Sequence, residues 1–264
     1  MTIAENLFGE FIAKWQMEPG ERMAFIGLLS SLRPKLAVEI GTGFGGSLSV
    51  LAKFAAEVYS VDINPGVAET LRERFPTVHF LTGDSGELFP QLLQRLENSG
   101  RTPDFILIDA QHTASGVQRD LIPLLAVRPR NPMYILVHDS FNPACRCGIV
   151  GVPWEDSPYF RSLEVDFVPG TVYDGRRDSL HPDITDVQVR GRMWNGLALA
   201  LFSPEPRSAG ERGTVMKRQQ MAFDICFPAS AHFRKKTALD YIRDAVKQHP
   251  TGKYAVAFRR VLKI

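Results

Sequence analysis

The sequence has few of the features that mark secreted, membrane-spanning or disordered chains. It holds only three cysteines in 264 residues, an odd set for a disulfide framework. No apolar run approaches the roughly 18–20 residues that a membrane helix needs. The first six residues have neither the basic start nor the apolar core of a signal peptide. We therefore expect a reduced, cytoplasmic protein without a membrane partner.

The chain also has little net charge, but that charge is unevenly distributed. Residues 207–264 hold 13 Lys and Arg against 4 Asp and Glu, a net of +9, so the remainder carries −7. Such a basic segment can bind nucleic acid, a phosphorylated acceptor or an acidic partner, or it can form a solvated surface. With 44% hydrophobic and 23% charged residues, the composition is that of a globular protein. The length is sufficient for one α/β domain with an appendage.

The most informative stretch is a glycine-rich turn between two apolar runs. Residues 36–40 are typical of a buried parallel strand, and they are followed by Gly41, Gly43, Gly45 and Gly46. Glycine permits positive φ angles and leaves no Cβ in the way of a ligand. A second run, residues 58–61, ends at Asp62, whose carboxylate can accept both hydroxyls of a ribose. The pattern predicts a strand–turn–helix that binds a nucleoside-bearing cofactor.

Two kinds of cofactor fit the glycine spacing. Gly41, Gly43 and Gly46 satisfy the G-x-G-x-x-G pattern of a dinucleotide site, in which a pyrophosphate lies at the helix N-terminus. Glu39 would be unfavourable beside a pyrophosphate, but it suits a cationic group such as the amino group or sulfonium of S-adenosylmethionine (SAM). We expect Ser47 to cap the following helix.

A third predicted strand supports SAM over a dinucleotide. It ends near Asp84, which could contact the adenine amino group and also cap the next helix. The predicted cofactor-binding residues are Glu39, Gly41, Thr42, Gly43, Gly45, Ser47, Asp62, Asp84, Ser85 and Asp109.

A longer motif follows the predicted fourth strand. Residues 108–121 read I-D-A-Q-H-T-A-S-G-V-Q-R-D-L, and His138-Asp139 comes later. With these motifs, residues 36–140 resemble the class I SAM-dependent methyltransferases, and within them the small-molecule O-methyltransferase and cephalosporin-hydroxylase-like group. That group typically has I-D-G-x-H-x-Y-x-x-V-x-x-D-L and H-D, so Ala110 and Ala114 are departures.

The resemblance implies a fold and an assembly. The expected fold is α/β, a Rossmann-like doubly wound sheet, mostly parallel with an antiparallel closing strand, plus N-terminal helices and a C-terminal appendage. Such enzymes are often homodimers.

The chain divides into three predicted segments. They are an N-terminal helical segment at residues 1–33, a SAM-binding Rossmann-like domain at 34–204, and a basic C-terminal appendage at 205–264. Within the second lies a loop-rich insert, residues 142–194, which we expect to shape the acceptor pocket. In the appendage, residues 223–227 and 254–262 are expected to be extended and residues 237–248 helical.

The predicted reacting groups lie at the ends of strands four and five, and they are Asp109, His112, His138 and Asp139. Methyl transfer from SAM needs proximity, in-line alignment and a deprotonated acceptor oxygen. In one interpretation Asp109 and Asp139 hold Mg²⁺, which favours oxygen ligands and lowers the acceptor's pKa. Ser140 departs from the Asp or Asn that metal-dependent relatives carry there. In the other, His112 or His138 takes the acceptor's proton near neutral pH.

The sequence therefore predicts a SAM-dependent O-methyltransferase that acts on a small-molecule hydroxyl, such as that of a sugar or natural product. One alternative is methylation of RNA or protein recruited by the basic appendage. Another is a non-catalytic SAM-fold binding protein. A hydroxylase-like activity ranks below these, since no His-x-Asp…His iron triad is evident in the sequence.

Overall fold

The computed structural model describes residues 15–172 and 193–226, all of which fall within one compact unit. Ten strands occur in these ranges: β1 Ala37–Ile40, β2 Val58–Asp62, β3 Val78–Thr82, β4 Phe105–Ile108, β5 Met133–His138, β6 Phe160–Val168, β7 Thr171–Val172, β8 Met193–Trp194, β9 Leu197–Phe202 and β10 Thr214–Met216. The helices are α1 Pro19–Leu32, α2 Gly46–Phe54, α3 Pro65–Leu71, α4 Ser85–Asn98, α5 Ala114–Leu121, α6 Pro143–Gly151 and α7 Gln220–Cys226. Two short 3₁₀ turns lie at Ile122–Ala126 and Trp154–Asp156.

Eight of the strands form one sheet in the order β10-β6-β9-β5-β4-β1-β2-β3. Strands β1 to β5 pair in parallel, as expected where a helix follows each strand and returns the chain to the same edge. Strand β9 runs antiparallel to both of its neighbours, β5 and β6. The predicted doubly wound, mostly parallel sheet with an antiparallel closing strand is confirmed.

Apolar side chains cover the sheet on both faces. In β1, Val38 and Ile40 belong to the core cluster that contains Leu92 of α4. The alternating position, Ala37, belongs to the opposite cluster with Phe25 of α1. Since successive side chains of a strand point to opposite faces, and every residue of β1 and β4 is buried, both strands are covered on both sides; Glu39 is the one polar residue in these two strands.

Two helices occupy segments for which the sequence predicted something else. The loop-rich insert begins with α6, because Asn142 accepts a hydrogen bond from the backbone N–H of Ala144 and Pro143 fits the first helical position. Residues up to Cys226 of the segment predicted to be extended are instead the end of α7. Phe223 of that helix packs against Phe141 with ring centroids 6.0 Å apart, so tertiary packing overrides the β-propensity of its aromatic residues.

The predicted helix cap at Ser47 is also wrong. Helix α2 begins after Gly45, which has a φ angle of 82° and provides no side-chain cap. The Ser47 hydroxyl instead donates a hydrogen bond to Glu39 Oε1 at 2.5 Å. The left-handed backbone at position 45 strongly favours glycine. Because the helix starts directly after this glycine, Ser47 lies inside the first turn and does not cap it.

The division into three segments stays a prediction. The described part of the appendage adds β10 to the sheet, in parallel with β6, and then forms α7. The expectations for residues 237–248 and 254–262 fall outside the described residues, as do residues 1–14 and 173–192. Within the ranges that are described, none of the helices combines the length and apolar character needed to cross a membrane.

Candidate active site

A cavity of about 820 Å³ opens at the carboxyl ends of β1, β2, β4 and β5. Ligands of open α/β sheets bind at this edge. The cavity is lined by all four predicted reacting residues and by most of the predicted cofactor residues: Gly41, Thr42, Gly43, Asp62, Asp84, Ser85, Asp109, His112, His138 and Asp139. Glu39, Gly45 and Ser47 do not line it, and Ser47 lies instead at a much smaller pocket beside Trp15.

The glycine turn brings the ends of β1 and β4 into close contact. Gly41 has a φ angle of 88°, and a Cβ atom there would lie 2.1 Å from the backbone oxygen of Asp109. The backbone N–H groups of Thr42 and Gly43 donate to Asp62 Oδ2 at 2.9 and 3.1 Å. Because each carboxylate oxygen has two lone pairs, Asp62 can hold the turn and still accept a hydrogen bond from a ribose hydroxyl.

Glu39 lies beneath the turn and does not reach the cavity. Its side chain is fully buried, and it accepts hydrogen bonds from Ser47 Oγ at 2.5 Å and from Ser60 Oγ at 3.5 Å. Ser60 in turn is hydrogen-bonded to the Thr42 hydroxyl of the turn. Burial raises the pKa of Glu39 to about 8, against the opposing effect of its hydrogen bonds. The predicted direct contact between Glu39 and a cofactor cation is not available in this arrangement, in which a protonated carboxyl supports the turn from below.

Asp84 and Ser85 also line the cavity. Asp84 caps α4 by accepting a hydrogen bond from the backbone N–H of Gly86 at 2.7 Å, which confirms the predicted cap. Its carboxylate also pairs with the guanidinium of Arg119 at 3.0 Å. Ser85 donates to Asp120 at 2.8 Å. The adenine contact of Asp84 stays a prediction.

The four predicted reacting residues are in mutual contact. His138 Nδ1 lies 3.1 Å from Asp109 Oδ1, and His112 Nε2 lies 3.4 Å from the same oxygen. His112 Nε2 is also 3.3 Å from Asp139 Oδ2. Asp139 has a φ angle of 63°, a left-handed backbone that is uncommon for a residue other than glycine and recurs at functional sites.

The two histidines differ in their access to the cavity. The side chain of His138 is 6% exposed and that of His112 is 20% exposed. The second nitrogen of His138, Nε2, faces the buried carboxylate of Glu21 at 3.4 Å. Both nitrogens of His138 therefore face carboxylates, whereas the His112 ring is the more exposed of the two at the cavity.

The charges at this site shift the pKa values of His112, His138 and Asp109. Burial by itself lowers the pKa of His138, but Asp109, Glu21 and Asp139 together raise it well above its usual range. Burial also lowers the pKa of His112, and its contacts with Asp109 and Asp139 reverse that effect and raise it. Burial raises the pKa of Asp109, yet the two histidines bring it well below the usual range. The site thus favours imidazolium ions next to an ionised Asp109.

The donor atoms at this site do not fit the predicted Mg²⁺ ion. The potential ligand atoms that lie within 4.8 Å of one another belong to Asp109, His112 and His138, and two of these three are imidazole nitrogens. Mg²⁺ prefers an octahedron of oxygen ligands. Asn142 Oδ1, a further oxygen near the site, is used as the cap of α6. The predicted pair of Asp109 and Asp139 as magnesium ligands is not supported.

Sequence reasoning missed several residues at this site. Glu21 comes from α1 and contacts His138 across 117 positions of sequence. The signal that could have found it is a carboxylate next to the apolar stripe of a helix. The cavity lining further includes Gln16, Arg119, Trp194 and Asn195.

The part of the chain that matches known proteins includes this site. Residues 38–140 match the family model of a methyltransferase domain. Rhamnosyl O-methyltransferases from Mycobacterium bovis and Mycobacterium tuberculosis are 29% identical over 123 residues, which cover 43% of this chain and 49% of theirs. The chain thus spans about half the length of the curated relatives it matches.

Two methyltransferases are among the solved structures with a similar fold. An O-methyltransferase from Bacillus cereus in complex with S-adenosylhomocysteine (SAH) is 18% identical, with a TM-score of 0.47 over 75% of this chain and 87% of that chain. The N-methyltransferase NodS from Bradyrhizobium japonicum WM9, also with SAH, is 12% identical, with a TM-score of 0.44 over 76% and 99%.

The family match begins in β1 and ends just after β5, so it covers the glycine turn, Asp62 and the four reacting residues. Sequence motif, sheet topology and family model agree over the same stretch. The part of the chain that holds the glycine turn and the predicted reacting residues is therefore similar in sequence to methyltransferase domains.

Proposed function

We propose that the protein transfers the methyl group of SAM to a hydroxyl of a neutral, polyhydroxylated small molecule such as a sugar. The observation that carries this proposal is His112, an imidazole at the cavity with two carboxylates, Asp109 and Asp139, behind its Nε2 atom. The printed name of the mycobacterial relatives, rhamnosyl O-methyltransferase, supports a sugar hydroxyl as the acceptor.

The cofactor would occupy the end of the cavity formed by the glycine turn. Gly41 and Gly43 leave room for the backbone to approach it, and Asp62 lies where a ribose would bind. Asp84 and Ser85 would enclose the adenine. Bound SAM supplies an electrophilic methyl group on a cationic sulfur that is already a good leaving group, so the protein's task is to align the acceptor and remove its proton.

His112 is the group in this site that best serves as the base. The acceptor oxygen would bond to the methyl carbon as the carbon–sulfur bond breaks, and the proton of the acceptor's O–H bond would pass to the imidazole of His112. The resulting imidazolium is stabilised by Asp109 and Asp139, in the manner of a histidine backed by a carboxylate. His138 is a poor candidate for this step because both of its ring nitrogens face carboxylates.

The charge of the cavity favours an uncharged acceptor. Four aspartates line it, at positions 62, 84, 109 and 139, and Arg119 is the one Lys or Arg among the described lining residues. The guanidinium of Arg119 already pairs with Asp84. Even with His112 and His138 as imidazolium ions beside Arg119, the four aspartates outnumber the cationic lining groups, so a phosphate group is less favoured here than a neutral hydroxyl. Gln16, Trp194 and Asn195 offer two amides and an aromatic ring, groups that suit the hydroxyls and the apolar face of a sugar.

A panel of acceptors tests this function. The full chain is incubated with SAM and either neutral rhamnosides and other glycosides, sugar phosphates, or RNA, and release of SAH is measured. We expect turnover with neutral glycosides. We also expect His112→Ala to lower kcat by about 10²–10⁴-fold while SAH still binds, because general base catalysis contributes that much.

The matched control is His79→Ala, since His79 lies on β3 and does not line the cavity. Turnover confined to phosphorylated acceptors or RNA would overturn the proposal. Equal activity of the His112→Ala and His79→Ala variants would overturn the role of His112.

A further inference from the structure

We infer that Glu21, on helix α1, is a positioning residue that fixes the ring of His138 and thereby keeps Asp109 directed towards His112. This inference rests on the proposed function, since it assigns Glu21 a part in the same reaction.

Glu21 connects three parts of the fold through one buried carboxylate. Its side chain is 1% exposed. Oε2 accepts a hydrogen bond from the backbone N–H of Glu18 at 2.6 Å, and Oε1 accepts one from the backbone N–H of Gly196 at 2.5 Å. His138 Nε2 lies 3.4 Å from Oε1. The carboxylate therefore ties the start of α1 to the residue before β9 and to the last residue of β5.

Helix capping alone does not account for this environment. Glu21 completes a capping box with Glu18, but a capping glutamate can do so at the protein surface, where water solvates its charge. A buried carboxylate is costly unless it is paired and hydrogen-bonded. The neighbouring guanidinium of Arg22 donates to the backbone carbonyls of Trp15 and Met17. The ionic contact of Glu21 is instead with the imidazole of His138.

The contact with Glu21 determines how the His138 ring is held. Nε2 faces Glu21 and Nδ1 faces Asp109 at 3.1 Å, so the ring is fixed at both ends. Asp139 Oδ1, 3.6 Å from Nδ1, is the other carboxylate near the ring. Asp109 Oδ1 lies within hydrogen-bonding distance of both His138 Nδ1 and His112 Nε2. If Glu21 loses its charge, the His138 ring loses one of its two anchors and the orientation of Asp109 relative to His112 is no longer fixed.

Glu21→Gln tests this inference, because glutamine keeps the size of the side chain and one carbonyl oxygen, which can accept from one of the two backbone N–H groups, while its NH2 group replaces the other acceptor. We expect kcat to fall by about tenfold or more, as expected when a reacting group is misplaced, while the KM for the acceptor and the Kd for SAH stay within about twofold. The binding constants are spared because Glu21 does not line the cavity. The matched control is Glu18→Gln, which alters the same capping box without a contact to His138. It should retain the wild-type kcat.

A spectroscopic measurement separates the role of Glu21 from the proposed reaction. In protein labelled with ¹⁵N-histidine, the ring nitrogen resonances of His138 should shift in Glu21→Gln and remain in place in Glu18→Gln. This measurement needs no turnover, so it stays informative even if no acceptor is methylated.

Unchanged His138 resonances in Glu21→Gln would overturn the inference, and so would equal losses of kcat in the two variants. If Glu21→Gln does not fold, Glu21→Asp provides the same tests, because it keeps the charge but withdraws it by one methylene. Wild-type kcat and wild-type His138 resonances in that variant would also contradict the inference.

Discussion

Replacing Glu39 with glutamine separates two roles for the acidic residue that precedes the glycine turn. A residue that contacts the cofactor cation would lose SAH affinity on this change. A buried, protonated carboxyl that supports the turn would not, because glutamine keeps the same shape. Its carbonyl can accept from Ser47 Oγ and its amide can donate to Ser60 Oγ, so the hydrogen bonds beneath the turn are retained.

The pKa of Glu39 gives the expected size of the effect on stability. It rises from 4.5 to about 8 in the folded protein. A group with a raised folded-state pKa stabilises fully below its unfolded-state pKa, and that contribution is lost as the pH rises towards the folded-state value. Between pH 5.5 and pH 8.5, the wild type should therefore lose about 3 kcal/mol of unfolding free energy relative to Glu39→Gln, at about 1.4 kcal/mol per pKa unit.

Urea unfolding of both proteins at these two pH values measures this difference, and calorimetry measures SAH affinity. We expect the variant to gain stability relative to wild type as the pH rises, and its SAH affinity to stay within about threefold, a change of less than 1 kcal/mol. Asp62→Asn is the control, since Asp62 lines the cavity and its loss should weaken SAH binding. The reasoning fails if the stability difference is the same at both pH values. It also fails if Glu39→Gln binds SAH as poorly as Asp62→Asn does.

Three further predictions concern other parts of the site and core. The kcat/KM of the wild type should rise with pH through a pKa above the usual histidine value of 6.5, and any activity left in His112→Ala should lack that rise; a pH-independent wild type contradicts this. Gly41→Ala should abolish SAH binding in calorimetry, because its Cβ would overlap the backbone oxygen of Asp109 in a left-handed residue; Gly27→Ala, whose Cβ meets nothing within 4 Å, is the control. Arg146→Met should lower the unfolding free energy by about 3–5 kcal/mol, since it leaves the buried Asp166 carboxylate unpaired, and a loss below about 1 kcal/mol would refute this.

The sheet was predictable from the sequence because its strands are short apolar runs that alternate with helical patterns. The gathering of Asp109, His112, His138 and Asp139 was predictable for a related reason. The carboxyl ends of neighbouring parallel strands meet at one edge, so residues that follow β4 and β5 must be close in space.

The roles of individual carboxylates were less accessible, since they depend on burial and distant partners. Glu39 was expected at the cofactor, but its place in a four-residue strand buried on both faces puts it beneath the turn. The role of Glu21 could not be predicted from a local motif, because its contact with His138 spans 117 positions. The extended conformation predicted near residue 223 followed local β-propensity, whereas the helix there is held by Arg146, which contacts Gln220 and lies 4.6 Å from the Phe223 ring centroid.

The close approach of Gly41 to Asp109 has a consequence for how such an enzyme can change during evolution. The backbone of Gly41 in the glycine turn packs directly against the backbone of Asp109, with no side chain between them. A displacement of the turn therefore moves Asp109 and, through it, His112, the proposed base. Mutations that alter acceptor choice are then tolerated best at lining residues outside this backbone contact, such as Trp194 and Asn195, where the cavity can vary without displacing the turn or Asp109.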